Sequence, residues 1–435
     1  MSQQDAQKLL HFIDNSPSPW HAALSTAMAL EKNGFQRLDE RDAFQLQVGG
    51  RYYVIRDGSS IIGFIVGEGD PVKHGFRLIG AHTDSPGLRV KPNAAHAKGP
   101  MVRLGVEVYG GPILATFTDR DLGLAGRVVV KNGPAPTDID TRLIHFSKPL
   151  VRIPNVAIHL NPEVNEKGLK LDRHEELPMM LSVLQQDLPA QQQFRALIAN
   201  QIEVEADTIL SWELQVFDTQ PGCFFGPNNQ FIANGQLDNL ASCHAGLVAL
   251  LDEAVRHPKS THLIAFFDHE EVGSQSSKGA NGCFLPDILE RIGFALSLNG
   301  ENQKRAYANS FIISADMAHA YHPNYQKLYD DEHQVVLNAG PVIKINAGQR
   351  YTSESVSEAR FVRLCEQAEV PYQKYVHRTN LRCGSTIGPA IAAQLGIRSV
   401  DVGNPLWSMH SARESAGTFD HHYMIRVMTE FFADG

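Results

Sequence analysis

Residues 240–255 read LASCHAGLVALLDEAV and residues 261–267 read THLIAFF, a helix-like segment followed by a strand-like one. The apolar residues of the first segment recur at the spacing of one helix face, at Leu240, Cys243, Leu247, Leu250, Leu251 and Ala254. A second apolar strand-like run follows at residues 311–315. Long helices that alternate with apolar strands indicate an α/β sheet. We therefore predict a mixed sheet flanked by helices.

The segments before this region also have recognisable periods. Residues 4–33 are predicted to form two helices, separated by the turn sequence Asn15-Ser-Pro-Ser-Pro. Short β-branched or aromatic runs, bounded by Gly, Asp and Pro, predict strands at residues 51–56, 60–66 and 76–81.

The sequence pattern between residues 92 and 236 differs from that of the rest of the chain. Short strand-like pieces, such as Val102 to Tyr109 and Gly126 to Val130, alternate there with Gly-Pro turns. We interpret residues 92–236 as an inserted, mostly β domain. Residues 1–91 and 237–435 would then form one discontinuous α/β domain.

Composition narrows the class of protein. The 435 residues carry 39 Lys and Arg against 48 Asp and Glu, and the formal net charge of -9 argues against a nucleic-acid or acidic-membrane binder. The N-terminal sequence MSQQDAQKLL lacks the features of a secretory signal, and no apolar run reaches the roughly 18 residues of a membrane span. Five scattered cysteines without CxxC spacing are typical of reduced thiols. We expect a cytoplasmic protein.

Candidate metal ligands come directly after three of the apolar runs. They are His82-Thr-Asp84, Asp268-His-Glu270-Glu271 and Asp316. The carboxyl ends of the strands in an α/β sheet are the usual place for ligands. Side chains that are distant in sequence are therefore expected to converge at one edge of the sheet.

His82 and Asp84 are two residues apart in extended chain and so lie on the same side. Asp84 is expected to orient the His82 ring as a supporting carboxylate. The alternative is a surface turn, because Thr-Asp-Ser-Pro is good turn chemistry.

The adjacent Glu270 and Glu271 point in different directions unless the backbone bends. One could bind a metal while the other faces the attacking water, which is the division that metal-assisted hydrolysis requires. Alternatively, the two glutamates could simply open a helix and favour its positive end.

Three further residues become candidate metal ligands only when they are considered together with His82, Glu270 and Glu271. Asp238 could be a helix N-cap, Asp316 could end a strand, and His410 could be a loop histidine at the surface. As a set, two histidines and several carboxylates without cysteine suit zinc, with manganese or cobalt as substitutes. Two metals roughly 3.5–4 Å apart need a bridging carboxylate and act on one water.

Five ordered motifs resemble those of the aspartyl aminopeptidases. They are His82-Thr-Asp-Ser-Pro, Gly235-Gln-Leu-Asp238-Asn, Asp268-His-Glu-Glu-Val-Gly-Ser274, Ser314-Ala-Asp-Met-Ala-His319 and Ser408-Met-His410-Ser. The resemblance covers nearly the whole chain. It implies a dinuclear zinc exopeptidase fold whose catalytic domain is residues 1–91 and 237–435, with residues 92–236 as a dimerisation and assembly domain.

The same resemblance implies roles for the residues. His82 and Asp316 would bind one zinc ion, Glu271 and His410 the other, and Asp238 would bridge the two. Glu270 would be the general base, and Asp84 would hold His82 in place. The substrate would be a peptide with a free N-terminus.

The resemblance also predicts specificity and assembly. Lys344 and Tyr351 match positions that meet an acidic first side chain, although an edge-strand lysine that blocks aggregation is the alternative. Family members form tetrahedral dodecamers in which a loop histidine of a neighbouring subunit reaches the active site. His159 would act in that way, near the metals; from the sequence alone a structural role for it is the alternative.

Three alternatives to an aminopeptidase for N-terminal Asp or Glu remain. The same fold and metals with another pocket would prefer neutral residues such as leucine. A metal-binding assembly scaffold would have lost catalysis, against which the intact Glu270 counts. A related metallohydrolase would act as a deacylase or carboxypeptidase.

Overall fold

The computed structural model describes residues 2–185 and 188–434. The α-helices are Ser2–Asp14 (α1), Pro19–Lys32 (α2), Pro71–His74 (α3), Val164–Lys167 (α4), Ala190–Ile202 (α5), Leu237–Leu251 (α6), Phe284–Ala295 (α7), Gly300–Ala308 (α8), Ser355–Gln367 (α9), Ile387–Leu395 (α10) and Thr418–Ala433 (α11).

The first ten strands are Gln36–Arg37 (β1), Arg51–Arg56 (β2), Ser60–Ile65 (β3), Phe76–His82 (β4), Gly87–Lys98 (β5), Met101–Tyr109 (β6), Leu122–Lys131 (β7), Ile139–His145 (β8), Met179–Val183 (β9) and Ile209–Asp218 (β10). The others are Cys223–Phe225 (β11), Phe231–Asn234 (β12), Thr261–Phe267 (β13), Phe311–Ala315 (β14), Ala318–His319 (β15), Val342–Ile345 (β16), Gln373–Val376 (β17), Arg398–Gly403 (β18), Pro405–Trp407 (β19) and Glu414–Gly417 (β20).

Contacts divide the chain into two compact units. The first comprises the residues up to Asp84, Gly222–Met409 and the residues from Glu414 onward. The second comprises Ser85–Pro221 and the short segment His410–Arg413.

The main sheet of the first unit is mixed. Its strand order is β1-β2-β3-β13-β4-β14-β18-β16-β17. The central strands β13, β4, β14 and β18 run parallel to one another, whereas β3 and β16 run antiparallel to their central neighbours. The predicted α/β fold with a mixed sheet is confirmed.

Helices cover both faces of this sheet. Leu78 of β4 belongs to a core that includes side chains of α7, α8 and α10, and its neighbour Ile79 belongs to one that includes side chains of α2, α6, α9 and α11. Successive strand residues point to opposite faces, so a strand buried on both sides is apolar at most of its positions. This explains why β13 and β14 read as mostly apolar runs.

The helix predicted over residues 240–255 forms in part. It ends at Leu251, and the extended Asp252 (ψ 142°) then caps the separate 3-10 turn Glu253–Val255. At its start, Asp238 and Asn239 have non-helical backbone angles, and the peptide bond between them is cis.

The second unit is mostly antiparallel β structure. Its sheet has the order β8-β7-β10-β5-β6-β9, and Phe194 and Ile198 of α5 lie in its hydrophobic core. This division differs from the predicted insertion at 92–236. Strand β5 begins before residue 92, and β12, inside the predicted insertion, pairs with β20 of the first unit. Those long-range pairings set the boundaries, and local sequence does not report them.

Candidate active site

Three neighbouring strands end at the same edge of the main sheet. Phe267 of β13 is the register partner of His82 of β4, and β14 runs parallel to β4 on its other side. Because the strands are parallel, the residues at and just after their carboxyl ends lie together. His82, Glu270 and Asp316 are brought to one place in this way.

His82 is buried and faces carboxylates with its outer nitrogen. Its Nε2 lies 3.4 Å from Asp238 Oδ1 and 3.8 Å from Asp316 Oδ1. Its Nδ1 lies 2.9 Å from the carbonyl oxygen of Asp84, closer than the 3.5 Å to the Asp84 carboxylate. A proton on Nδ1 would donate to that carbonyl, which leaves Nε2 as the ring atom that faces the two carboxylates. The nearest support of the ring is therefore the backbone of Asp84 and not its side chain.

The charge environment of His82 is strongly negative. Burial by itself lowers the pKa of the imidazole, but hydrogen bonds with Asp238, Asp316 and Asp84 hold that pKa well above 6.5. Several carboxylates around one buried imidazole make the site strongly negative, and such a site would favour a bound cation.

The side chain of Asp84 holds the turn that carries the two glutamates. Its Oδ1 and Oδ2 accept hydrogen bonds from the backbone amides of Glu270 and Glu271, each at 3.1 Å. The two glutamates lie in the 3-10 turn Glu270–Val272, which follows the left-handed His269 (φ 67°). This turn follows the end of β13 and brings a carboxylate oxygen of each glutamate within 4.8 Å of the other and of a ring nitrogen of His82.

Glu270 has an unusual proton affinity. The residue is partly exposed, yet burial of its carboxyl group raises the pKa to about 8. The ring of His82 acts against that rise, whereas nearby carboxylates add to it. A carboxyl group with a pKa near neutrality can both take up and release a proton at working pH.

Two groups of donor atoms in the first unit are spaced for metal binding. His82, Asp238 and Asp316 form one group, and His82, Glu270 and Glu271 form the other. Within each group the ligand atoms lie within 4.8 Å of one another. Imidazole nitrogen and carboxylate oxygen without thiolate are donors that zinc accepts, so the residues fit a zinc site.

Asp238 is positioned by partners far along the chain. Its backbone amide donates to Glu414 Oε2 at 3.0 Å, and the Asn239 side chain donates to the carbonyl oxygen of Ala315 at 2.8 Å. Glu414 is 1% exposed. These contacts tie the start of α6 to β14 and β20, beside Asp316.

Lys344 is buried on β16 and already has partners. Its Nζ donates to the carbonyl oxygen of Met317 at 3.0 Å, lies 3.6 Å from Asp316 Oδ2, and lies 5.1 Å from the ring centre of Tyr351. The protein itself therefore supplies a carboxylate near this buried lysine, that of Asp316. It is one of the candidate metal ligands.

A cleft of about 230 Å³ is lined in part by β17, the strand next to β16. Tyr375 of β17, the register partner of Lys344, lines it together with aromatic, imidazole and aliphatic side chains that include His319, His377 and Trp407. No Asp, Glu, Lys or Arg is among its described lining residues. Such a surface suits an uncharged side chain.

His410 and His159 belong to the second unit. His410 is part of the segment His410–Arg413, and its Nδ1 lies 3.0 Å from the carbonyl oxygen of Gly111. His159 is exposed on a turn of the loop that follows the bridge residue Ile153. Their predicted roles stay predictions.

The profile of the family described as Aminopeptidase I zinc metalloprotease (M18) matches residues 12–432. The chain belongs to this M18 family. It is accordingly a zinc-dependent aminopeptidase, as the sequence motifs predict.

Relatives of this M18 aminopeptidase match it over almost their whole length. A probable M18 family aminopeptidase 2 from Ectopseudomonas mendocina is 46% identical over 437 residues, covering 100% of this chain and 99% of the relative. One from Pseudomonas aeruginosa (strain LESB58) is 46% identical over 431 residues, covering 98% and 97%.

Solved structures share the fold. Ape4, in the cryo-EM structure of the Ape4 and Nbr1 complex, has a TM-score of 0.94 and 36% identity, with coverage of 100% of this chain and 86% of that one. The mApe1 dodecamer of S. cerevisiae has a TM-score of 0.86 and 26% identity, with coverage of 99% and 96%.

Three residues around the site of this M18 aminopeptidase make contacts that the sequence did not predict: Asp268, Lys278 and Glu414. Asp268 and Lys278 form a buried ion pair of 2.8 Å beside the glutamate turn. Asp268 was visible only as the first residue of the glutamate motif, and nothing local distinguishes Lys278 or Glu414 from surface charges.

Among the described residues, no helix is both long and apolar enough to cross a bilayer.

Proposed function

We propose that this M18 aminopeptidase removes N-terminal Asp or Glu from peptides with two zinc ions and with Glu270 as general base. The zinc ligands would be His82 and Asp316 for one ion, Glu271 and His410 for the other, and Asp238 between them. Bound zinc supplies Lewis acidity and lowers the pKa of a coordinated water. The acid–base work falls to the protein's own carboxyl group.

The observation that carries the proposal is the pairing of the cation-attracting group around His82 with the perturbed Glu270. A general base takes a proton from water at a carboxylate oxygen and returns it to the leaving amine nitrogen. Burial raises the pKa of the Glu270 carboxyl to about 8, and a cation bound beside it would favour the ionised carboxylate that accepts a proton. Its backbone amide, held by Asp84, keeps it beside His82.

The acidic preference rests on Lys344. This buried ammonium group lies between Asp316 and the ring of Tyr351, so a second carboxylate entering there would meet a cation in a poorly hydrated place. Tyr351 is itself 4% exposed, and burial raises the pKa of its phenol, which stays a neutral hydrogen-bond donor.

A neutral first residue is the second candidate. Asp316 already neutralises Lys344, and the neighbouring cleft has no charged side chain among its described lining. Both observations favour an enzyme that accepts residues such as leucine.

Assembly into a dodecamer is part of the proposal, because the related mApe1 forms one. His159 would then act near the metals of a neighbouring subunit. The loop that carries His159 exposes three apolar side chains, Val156, Ile158 and Leu160, as an interface would require. We also propose a cytoplasmic location, which the five scattered cysteines without CxxC spacing support.

Initial rates of amino-acid release test the function. The substrates are short peptides that differ only in the first residue, free or N-acetylated, with zinc, cobalt or manganese added separately. Fast release of Asp or Glu from free peptides is expected. Faster release of Leu would be compatible with the proposed catalytic mechanism but would exclude a preference for an acidic first residue. Cleavage of acetylated peptides would indicate a deacylase or carboxypeptidase, and no cleavage at all would indicate a scaffold.

A further inference from the structure

A buried ion pair lies directly behind the turn that carries Glu270 and Glu271. Lys278 Nζ lies 2.8 Å from Asp268 Oδ2, and the two residues are 5% and 0% exposed. Nζ also donates to Ser59 Oγ at 2.8 Å and lies 5.5 Å from the ring centre of Trp20. The free energy lost when both charges are removed from water is about as large as the free energy gained from their attraction. A buried ion pair is therefore weak evidence for a purely stabilising role.

The pair is joined to the backbone at several points. The other oxygen of Asp268, Oδ1, accepts from the amide of His269 at 2.8 Å. The amide of Asp268 donates to Ser60 Oγ, which donates in turn to the carbonyl oxygen of Lys278. Lys278 therefore holds both the side chain of Asp268 and, through Ser60, its backbone, between the end of β13 and the glutamate turn.

The turn needs such support because its backbone is not intrinsically favoured. His269 and Ser274 flank it in the left-handed region, at φ 67° and φ 62°. Residues other than glycine are held there only by surrounding contacts. Asp84 supplies contacts to the amides of Glu270 and Glu271, and Asp268 supplies one to the amide just before them.

We propose that Lys278 is a positioning residue for Glu270 and Glu271, acting through Asp268. The two buried carboxylates Asp84 and Asp268 grip three successive backbone amides, and the ammonium group of Lys278 keeps Asp268 in place. Without it, a carboxylate with no exposure would lose its cation and move toward water, carrying the amide of His269 with it. This inference rests on the proposed function only for what Glu270 and Glu271 do.

The test compares Lys278→Met with Lys32→Met, an exposed lysine at the end of α2. Each purified full-length protein, stripped of metal, is titrated with Co²⁺, whose visible absorption reports ligand geometry. We expect Lys278→Met to weaken Co²⁺ binding about tenfold and to change the absorption bands. In the zinc-loaded enzymes we expect kcat to fall at least about tenfold while KM stays within about twofold. Lys32→Met should match the wild type.

A rescue separates positioning from general stability. Lys278→Gln keeps a hydrogen-bond donor toward Asp268 and Ser59, and should lie between Lys278→Met and the wild type in Co²⁺ spectrum and kcat. Should Lys278→Met not fold, Lys278→Met with Asp268→Asn removes both charges and must still show the altered spectrum.

Co²⁺ affinity, spectrum and kcat like those of the control, even with a lower Tm, would overturn the proposal. Failure of the proposed function is separate: a wild type that cleaves no peptide removes the role of Glu270, while the Co²⁺ measurements still decide whether Lys278 positions Glu271.

Discussion

Asp84 Oδ1 accepts a hydrogen bond from the backbone amide of Glu270 at 3.1 Å, and Oδ2 accepts one from the next amide. The carboxylate is 0% exposed and joins the end of β4 to the turn after β13. The same residue also lies against His82, whose Nδ1 is 2.9 Å from the Asp84 carbonyl oxygen and 3.5 Å from its carboxylate, so Asp84 contacts both the histidine and the glutamate turn.

Asp84→Asn tests this dual contact. The amide side chain presents one oxygen and one NH₂, so it can accept from only one of the two backbone amides. We expect activity or zinc affinity to fall about 10- to 100-fold, with the far-UV circular dichroism spectrum unchanged. Asp70→Asn, at an exposed helix cap, is the control. Wild-type activity and zinc content in Asp84→Asn would show that the contact is dispensable.

Glu270→Gln tests the general base. The substitution keeps size and polarity but removes the oxygen that accepts a proton, so kcat should fall about 10²- to 10⁴-fold. Zinc content, measured by atomic absorption, should stay at the wild-type value. An unchanged kcat would remove Glu270 as the base.

Lys344→Met tests the acidic pocket. Loss of the ammonium group should lower kcat/KM for peptides that begin with Asp by about 10²-fold and leave Leu peptides almost unchanged. Because Lys344 also lies 3.6 Å from Asp316, zinc content is measured alongside. An equal loss for Asp and Leu peptides would mean that Lys344 supports Asp316 and does not select the substrate.

Mixed particles test the role of His159. His159→Ala subunits and Glu270→Gln subunits, each of low activity alone, are dissociated and reassembled together. If His159 serves a neighbouring subunit, some sites combine an intact Glu270 with an intact His159, and part of the activity returns. Activity no higher than the sum of the two separate preparations would leave His159 without this role.

His262→Phe tests a source of acid instability. Burial lowers the pKa of His262 to about 3, and the ring stacks on Phe432 with centres 4.7 Å apart. Since this pKa is depressed from 6.5, the neutral ring contributes stability above about pH 6.5 that is lost as the pH falls toward 3. Between pH 7 and pH 5 the loss from this group is about 2 kcal/mol.

The measurement is the free energy of unfolding from urea titrations at both pH values. His262→Phe should reduce the difference between pH 7 and pH 5 by about 2 kcal/mol. His174→Gln, at a side chain that is 81% exposed, should leave the difference unchanged. The same pH dependence in His262→Phe as in the wild type would show that other groups cause it.

Many helices and strands could be predicted from the sequence because each depends on a pattern of neighbouring residues. Strands β2, β13 and β14 begin and end at the predicted residues, since apolar runs bounded by polar residues report burial on both faces of a sheet. The unit boundary at residues 221 and 222 was not readable, because it depends on β12 pairing with β20 nearly two hundred residues later.

The sequence by itself determined the family, the mixed α/β sheet and the placement of candidate ligands at strand ends, because short motifs and periodicity depend on near neighbours along the chain. Only the tertiary structure decided what those residues touch. The amide contact of Asp238 with Glu414, the pairing of Lys344 with Asp316 and the position of Lys278 behind the glutamate turn all depend on how distant segments meet. Hydrogen bonds and ion pairs act over a few ångströms in space, and spacing along a sequence does not measure that distance.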